Sequence, residues 1–219
     1  GHGKAYAEYI VVSVAHLALK PKNISHAEAA ASTLAALTAW QAFSFFGKLR
    51  KEDKVLIHAA AGGVGHFAVQ MAKHLGAFVI GTSSAKNKEF VLGWGADKHI
   101  DYKNQQFENE LSNIDFVLET IGHKNFKKSV SVLREEGTIV NLPSGLTKED
   151  EKAAEQKKLN TCFFMSVYSN GDDMKIIADL LERKIIRPHI YKIYGFNKVR
   201  EAHLQVETGT TRGKVVVEI

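Results

Sequence analysis

At roughly 150 residues per domain, the 219 residues of this chain hold one large domain or one and a half. A composition that is 45% hydrophobic and 24% charged excludes disordered and low-complexity classes, and the single cysteine, Cys162, excludes an internal disulfide framework and a multi-cysteine zinc site within these residues. The net charge of +5 is spread over mixed-sign runs, such as Lys48, Arg50 and Lys51 beside Glu52 and Asp53, so it reads as solvated surface and offers nucleic acid no one-sign stripe.

In chain order, His2 between Gly1 and Gly3 fits native sequence or an added segment equally. Residues 5–20 alternate as short strands around Tyr6, Tyr9, Val11, Val12, Leu17 and Leu19. No basic region followed by an apolar one marks a signal peptide, and the lone cysteine sets a reducing, cytoplasmic expectation. Ala29 to Gly47 is uncharged and long enough to cross a bilayer. Its alanines, interrupted by Ser32, Thr33, Thr38, Gln41 and Ser44, fit burial inside the protein better.

From Asp53 onward short apolar runs alternate with amphipathic stretches. The runs are 55–60, 78–81, 99–102, 115–118, 137–142 and 161–165; the helix-like stretches that follow are 63–76, 85–94, 104–111, 122–134, 148–157 and 170–184. Six β-then-α units in a row predict an α/β fold, a doubly wound parallel six-stranded sheet covered by helices on both faces. With strand order 3-2-1-4-5-6, ligands bind at the carboxyl ends of the first and fourth strands, which points to the turns after Ala60 and Leu118. The strand-like stretches 191–194 and 215–219 fall outside this rhythm and predict a second sheet.

The strongest chemical signal is the run from Val55 to Ala72, where buried strand residues break into Ala60-Ala61-Gly62-Gly63-Val64-Gly65 and resume as a helix. Against the G-x-G-x-x-G fingerprint Ala60 takes the first place. Gly62 lets the backbone approach a pyrophosphate, Gly65 lets helix and strand pack closely, and the helix N-terminus offers N–H groups to phosphates. The missing Gly-Lys-Ser/Thr excludes a P-loop. About 20 residues on, where an NAD site places an acid, stand Gly81-Thr82-Ser83-Ser84-Ala85-Lys86-Asn87-Lys88. Hydroxyls and lysines without a carboxylate favour a 2′-phosphate, hence NADPH; the alternative is that Ser83 or Ser84 caps the next helix and the lysines are solvated. His58 reads as a packed core residue, and Cys162 as a small buried hydrophobe in a strand.

Together with Ala7-Glu8-Tyr9, Glu28-Ala29-Ala30, Leu37-Thr38-Ala39-Trp40, Gly95-Ala96-Asp97, Ile100-Asp101-Tyr102 and Arg212-Gly213-Lys214-Val215-Val216, these residues resemble the medium-chain dehydrogenase/reductase superfamily, in its zinc-independent quinone oxidoreductase-like branch. The resemblance implies a Rossmann domain over residues 31–188. It also implies a remnant of a GroES-like catalytic domain over 1–30 and a return segment to that domain over 189–219, with most of the substrate site outside the chain. It places Tyr102 and Lys86 near the 2′-phosphate and Thr38 near the nicotinamide. Gly62, Gly63, Val64 and Gly65 form the turn, and Thr120, Ile121, Leu142 and Phe164 line the cofactor cleft.

The activity so implied is hydride transfer from NADPH to a quinone, an enone or a related activated carbonyl, by a homodimer with a contact around Phe163. No side chain here is nominated as the acid catalyst, and this chain alone is expected to turn over poorly. Thr33-Leu34-Ala35-Ala36-Leu37 holds no Cys, His or acid where the zinc-dependent branch places a ligand, so no metal is expected. The alternatives are a zinc-dependent alcohol dehydrogenase and a non-catalytic NADPH-binding protein.

Overall fold

A computed structural model describes residues 6–219; His2 lies outside them. Helix α1 (His26–Gln41) begins at a reciprocal cap. The Ser25 hydroxyl accepts the Glu28 N–H at 3.1 Å while the Glu28 carboxylate accepts the Ser25 N–H at 2.7 Å, so two otherwise orphaned donors are satisfied at once. The helix continues into a π-turn over Ala42–Phe46. Ala31, Ala35, Ala36, Ala39, Ala42 and Phe43 are buried, which places the uncharged 29–47 stretch in the core. No described helix is long and apolar enough to cross a membrane.

Six parallel strands follow, β1 (Lys54–Ile57), β2 (Phe78–Ser83), β3 (Lys98–Asp101), β4 (Ile114–Glu119), β5 (Leu133–Asn141) and β6 (Asn160–Cys162), in the order β3-β2-β1-β4-β5-β6. The crossovers are α2 (Gly65–His74), α3 (Lys88–Gly93), the one-turn α4 (Phe107–Glu110), α5 (His123–Val132) and α6 (Lys148–Gln156), and α7 (Gly171–Glu182) follows β6. This is the doubly wound sheet expected from the alternation. Its central strands are apolar almost throughout because both faces are covered: Val55, Ile57 and Leu118 face one core cluster with Phe67 and Met71, and Leu56, Val117 and Ile139 face the other with Phe126. The predicted sixth strand is shorter than its apolar run. Phe163 and Met165 leave the ladder, with the Asn141 amide donating to the Phe163 carbonyl and the Met165 N–H donating to the Asn141 carbonyl.

A separate two-stranded parallel sheet pairs β7 (Ile190–Gly195) with β8 (Lys214–Glu218) across α8 (Val199–Glu207), as the two strand-like stretches outside the rhythm predict. The strands expected over 5–20 do not form among the described residues. Tyr9, Val11 and Leu19 project into solvent, so the alternation has no neighbouring strand to complete a ladder. A single turn, Val14–His16, lies against the start of α7 instead. Its backbone comes so close that a Cβ on Gly171 would sit 2.6 Å from the Ala15 carbonyl oxygen.

Candidate functional site

The turn after β1 is built by the main chain. Ala59 takes the left-handed conformation at φ 47°, and its carbonyl accepts the Gly62 N–H at 2.8 Å. A Cβ on Gly65 would lie 2.2 Å from that same oxygen and 2.7 Å from the Ala60 Cα, so only glycine lets α2 begin this close to the strand. No side chain caps α2; the Gly62 and Val64 carbonyls take the His66 and Phe67 N–H groups at 3.1 Å, which leaves the N–H groups of Val64 and Gly65 for an anion.

His66 and the returning segment lock the turn from outside. The buried His66 donates from Nδ1 to the Gly62 carbonyl at 2.9 Å and accepts the His189 N–H on Nε2 at 3.2 Å. That pattern needs a neutral ring, and burial pushes the imidazole down to about 4. The Gly213 N–H donates to the Ala61 carbonyl at 2.9 Å. Next to it, the half-buried Lys214 brings its Nζ to within 3.8 Å of where a Gly63 Cβ would stand. Burial lowers this ammonium below the ordinary lysine range, and no described carboxylate lies within 4 Å of it. An unpaired, desolvated cation beside an uncapped helix start is a fit for a phosphate.

A cavity of about 370 Å³ opens beside the turn. Of the predicted residues, Gly62, Ser83, Ser84, Lys86, Tyr102 and Ile121 line it. Ser84 occupies the N-cap of the short turn Ala85–Asn87 but makes no side-chain cap bond, so the capping alternative is not what the hydroxyl does here. Ser83 Oγ lies 2.8 Å from His99 Nε2. Gly63, Val64 and Gly65 belong to the turn without lining the cavity, and Thr38, Thr120, Leu142 and Phe164 do not line it either. Thr38 is buried and donates its hydroxyl to the Leu34 carbonyl at 2.7 Å. Thr120 donates to the His58 carbonyl at 2.9 Å, and Phe164 is exposed.

The cavity also takes residues the sequence reading did not select: His58, Thr82, Phe107 and Asn125 at its inner wall, and Gly209, Thr210 and Thr211 from the loop before β8. His58 is buried, as expected of a core residue, yet lies just beyond β1 and also borders the cavity. Cys162 is only half-buried. The turn after β4 is held by Glu119, fully buried at the strand's end. Its Oε1 accepts the Ile121 N–H at 2.7 Å and the Gly122 N–H at 3.1 Å, and its Oε2 accepts from Asn125 at 2.9 Å and Ser129 at 2.6 Å. Among the described residues no group of three or more His, Cys, Asp or Glu is placed to hold a metal.

With this geometry in hand, residues 94–217 match the family model described as zinc-binding dehydrogenase. The chain belongs to that family, within the medium-chain dehydrogenase/reductase superfamily. It is 35% identical over 215 residues to 2-methylene-furan-3-one reductase of Solanum lycopersicum, covering 96% of this chain and 52% of that protein. Its structure is similar to the quinone oxidoreductase of Coxiella burnetii, with TM-score 0.86 and 33% identity over 91% of this chain and 63% of that one. It is also similar to Escherichia coli quinone oxidoreductase complexed with NADPH, with TM-score 0.84 and 25% identity over 92% of this chain and 68% of that one. The chain spans about half the length of the tomato relative and about three fifths of the mitochondrial NAD(P)H oxidoreductase RTN4IP1 of Homo sapiens, to which it is 33% identical over 97% of its own length.

Proposed function

We propose that this chain is the NADPH-holding part of a dehydrogenase-family reductase acting on quinones, enones or related activated carbonyls. The observation that carries the reading is the uncapped, glycine-built turn with Lys214 beside it, opening onto a cavity whose outer wall is Ser83, Ser84 and Lys86 without a carboxylate. In this reading the cofactor, when bound, supplies a hydride to the acceptor. The α2 N-terminus and Lys214 hold the pyrophosphate; Ser83, Ser84, Lys86 and Tyr102 hold the 2′-phosphate. Ile121 borders the passage towards the nicotinamide, with Thr38, Thr120, Leu142 and Phe164 proposed around the ring. The names of the tomato and Coxiella proteins support the acceptor class.

The domain reading goes with it: residues 31–188 bind the dinucleotide, while 1–30 and 189–219 belong to the substrate side. A homodimer contact around Phe163, next to the β6 edge, is part of the same proposal, because an open strand edge calls for cover. The half-buried lone cysteine supports a reducing compartment such as the cytoplasm, although some relatives are named as mitochondrial or chloroplastic. Titration with NADPH and NADH tests the cofactor reading. NADPH should bind more tightly, and Lys86→Ala should remove roughly tenfold of that preference, the scale of one charge-assisted contact. Equal affinities in the wild-type chain would overturn it.

A further inference from the structure

The buried groups behind the cavity form one continuous chain of hydrogen bonds. Glu119 Oε2 lies 2.6 Å from Ser129 Oγ, Ser129 Oγ lies 3.0 Å from His58 Nε2, and His58 Nδ1 lies 3.1 Å from Thr82 Oγ1. All four residues are nearly or fully buried, and Thr82 and His58 border the cavity. Each hydroxyl and the ring could point its proton either way, but the far end decides. Glu119 receives two main-chain N–H donors on one oxygen and the Asn125 amide on the other, groups that can only donate, so both of its oxygens act as acceptors. Ser129 must therefore donate to Glu119, which leaves its oxygen to accept from His58 Nε2–H. Glu119 Oε2 lies 3.7 Å from Nε2, but burial outweighs that attraction and keeps the ring neutral, so its Nδ1 is bare and accepts from Thr82. The Thr82 hydroxyl has given away its only proton and turns lone pairs alone towards the cavity.

We propose that Glu119, Ser129 and His58 are positioning residues that make Thr82 a one-way acceptor, reading a donor on the ligand. Thr82 stands at the end of β2, where a carboxylate holds ribose hydroxyls in NAD sites. In a nucleotide whose 2′-oxygen carries phosphate, the ribose keeps one donor, the 3′-hydroxyl. A neutral acceptor fixed by a buried relay can take that hydroxyl without the charge that would repel the neighbouring phosphate. The ligand half of this inference rests on the nucleotide reading above; the proton order does not.

Two measurements test it. Nitrogen NMR of the unliganded protein at neutral pH should find His58 protonated on Nε2 alone; a proton on Nδ1 overturns the proposal. Adenosine 2′,5′-bisphosphate should bind roughly tenfold more tightly than its 3′-deoxy analogue, the scale of one buried hydrogen bond. That ratio should fall to near one in Thr82→Val and survive in Thr82→Ser. It should also collapse in Ser129→Ala, which never touches the ligand but frees His58 to turn its proton towards Thr82. A loss of fold stability alone would weaken both nucleotides equally and leave the ratio intact. A ratio unchanged in Thr82→Val overturns this inference while the nucleotide reading stands; no binding of either nucleotide by the wild-type chain overturns both.

Discussion

The turns after β1 and β4 meet at the place where the strand order reverses, and they are built by opposite means. The first is made of main chain and missing side chains: Ala59 in the left-handed region, Gly65 with no room for a methyl group, and a helix start without a cap. The second is made of a side chain, the Glu119 carboxylate, which gathers two turn N–H groups, an amide and a hydroxyl. A turn closed by backbone leaves donors free for a ligand, whereas a turn closed by a buried carboxylate uses its donors internally and becomes a rigid wall. The site therefore has an open, anion-seeking side and a closed, pre-set side.

The largest expected effect breaks the first turn. Gly65→Ala puts a methyl 2.2 Å from the Ala59 oxygen, and because the opposing atoms are main chain, neither side can yield cheaply. A stability loss of about 3 kcal/mol is expected, with the lost closeness of α2 abolishing nucleotide binding; chemical denaturation and titration measure both. An unchanged midpoint would mean that strand and helix are not held where their packing places them.

Acid attacks the same turn selectively. His66 is neutral in the fold, with its pKa pushed from 6.5 to about 4, so the unfolded chain binds the extra proton first as pH falls. Its contribution is intact above about pH 6.5, declines as pH drops, and is fully lost near pH 4. The loss is on the order of 3 kcal/mol at 1.36 kcal/mol per unit. His58, also held neutral by burial, works in the same direction, so the variant His66→Asn, which keeps a donor for Gly62, should remove only part of the slope.

Glu119→Gln probes the second turn. The substitution keeps an oxygen for the Ile121 and Gly122 N–H groups but sets an NH₂ against the Asn125 amide. A loss of about 2 kcal/mol is expected, the range for a buried donor left without its acceptor, and exchange of the Gly122 amide should report it.

These two turns also separate what the sequence made legible from what it did not. Gly62-Gly63-Val64-Gly65 could be read because a backbone-built turn leaves its mark in the very residues that form it. The sheet order could be read for a similar reason, since each β–α unit carries its own apolar run and the crossover rule does the rest. The inner wall and the group behind it could not be read: Thr82, His58 and Asn125 on the wall and Ser129 behind them come from three segments up to 71 residues apart along the chain, and each looks ordinary in its own neighbourhood. The strands predicted over 5–20 failed for the converse reason. Their alternation is a statement about faces, and a face without a partner forms no ladder.

Lys214 gives the smallest and most discriminating prediction, because stability and binding should move in opposite directions. Its ammonium is partly desolvated beside Gly63, with no described carboxylate within 4 Å, so its burial carries a cost that a phosphate would relieve. Lys214→Met keeps the apolar stem and removes the charge. Thermal unfolding should shift upward by the equivalent of about 1 kcal/mol, the modest end of the range for an uncompensated buried polar group. Nucleotide affinity should fall roughly tenfold, equally for NADPH and NADH, since the pyrophosphate is common to both. A variant that lost stability and kept its affinity would mean that Lys214 belongs to the packing between β8 and the turn. The open side of the site would then rest on the α2 N-terminus alone.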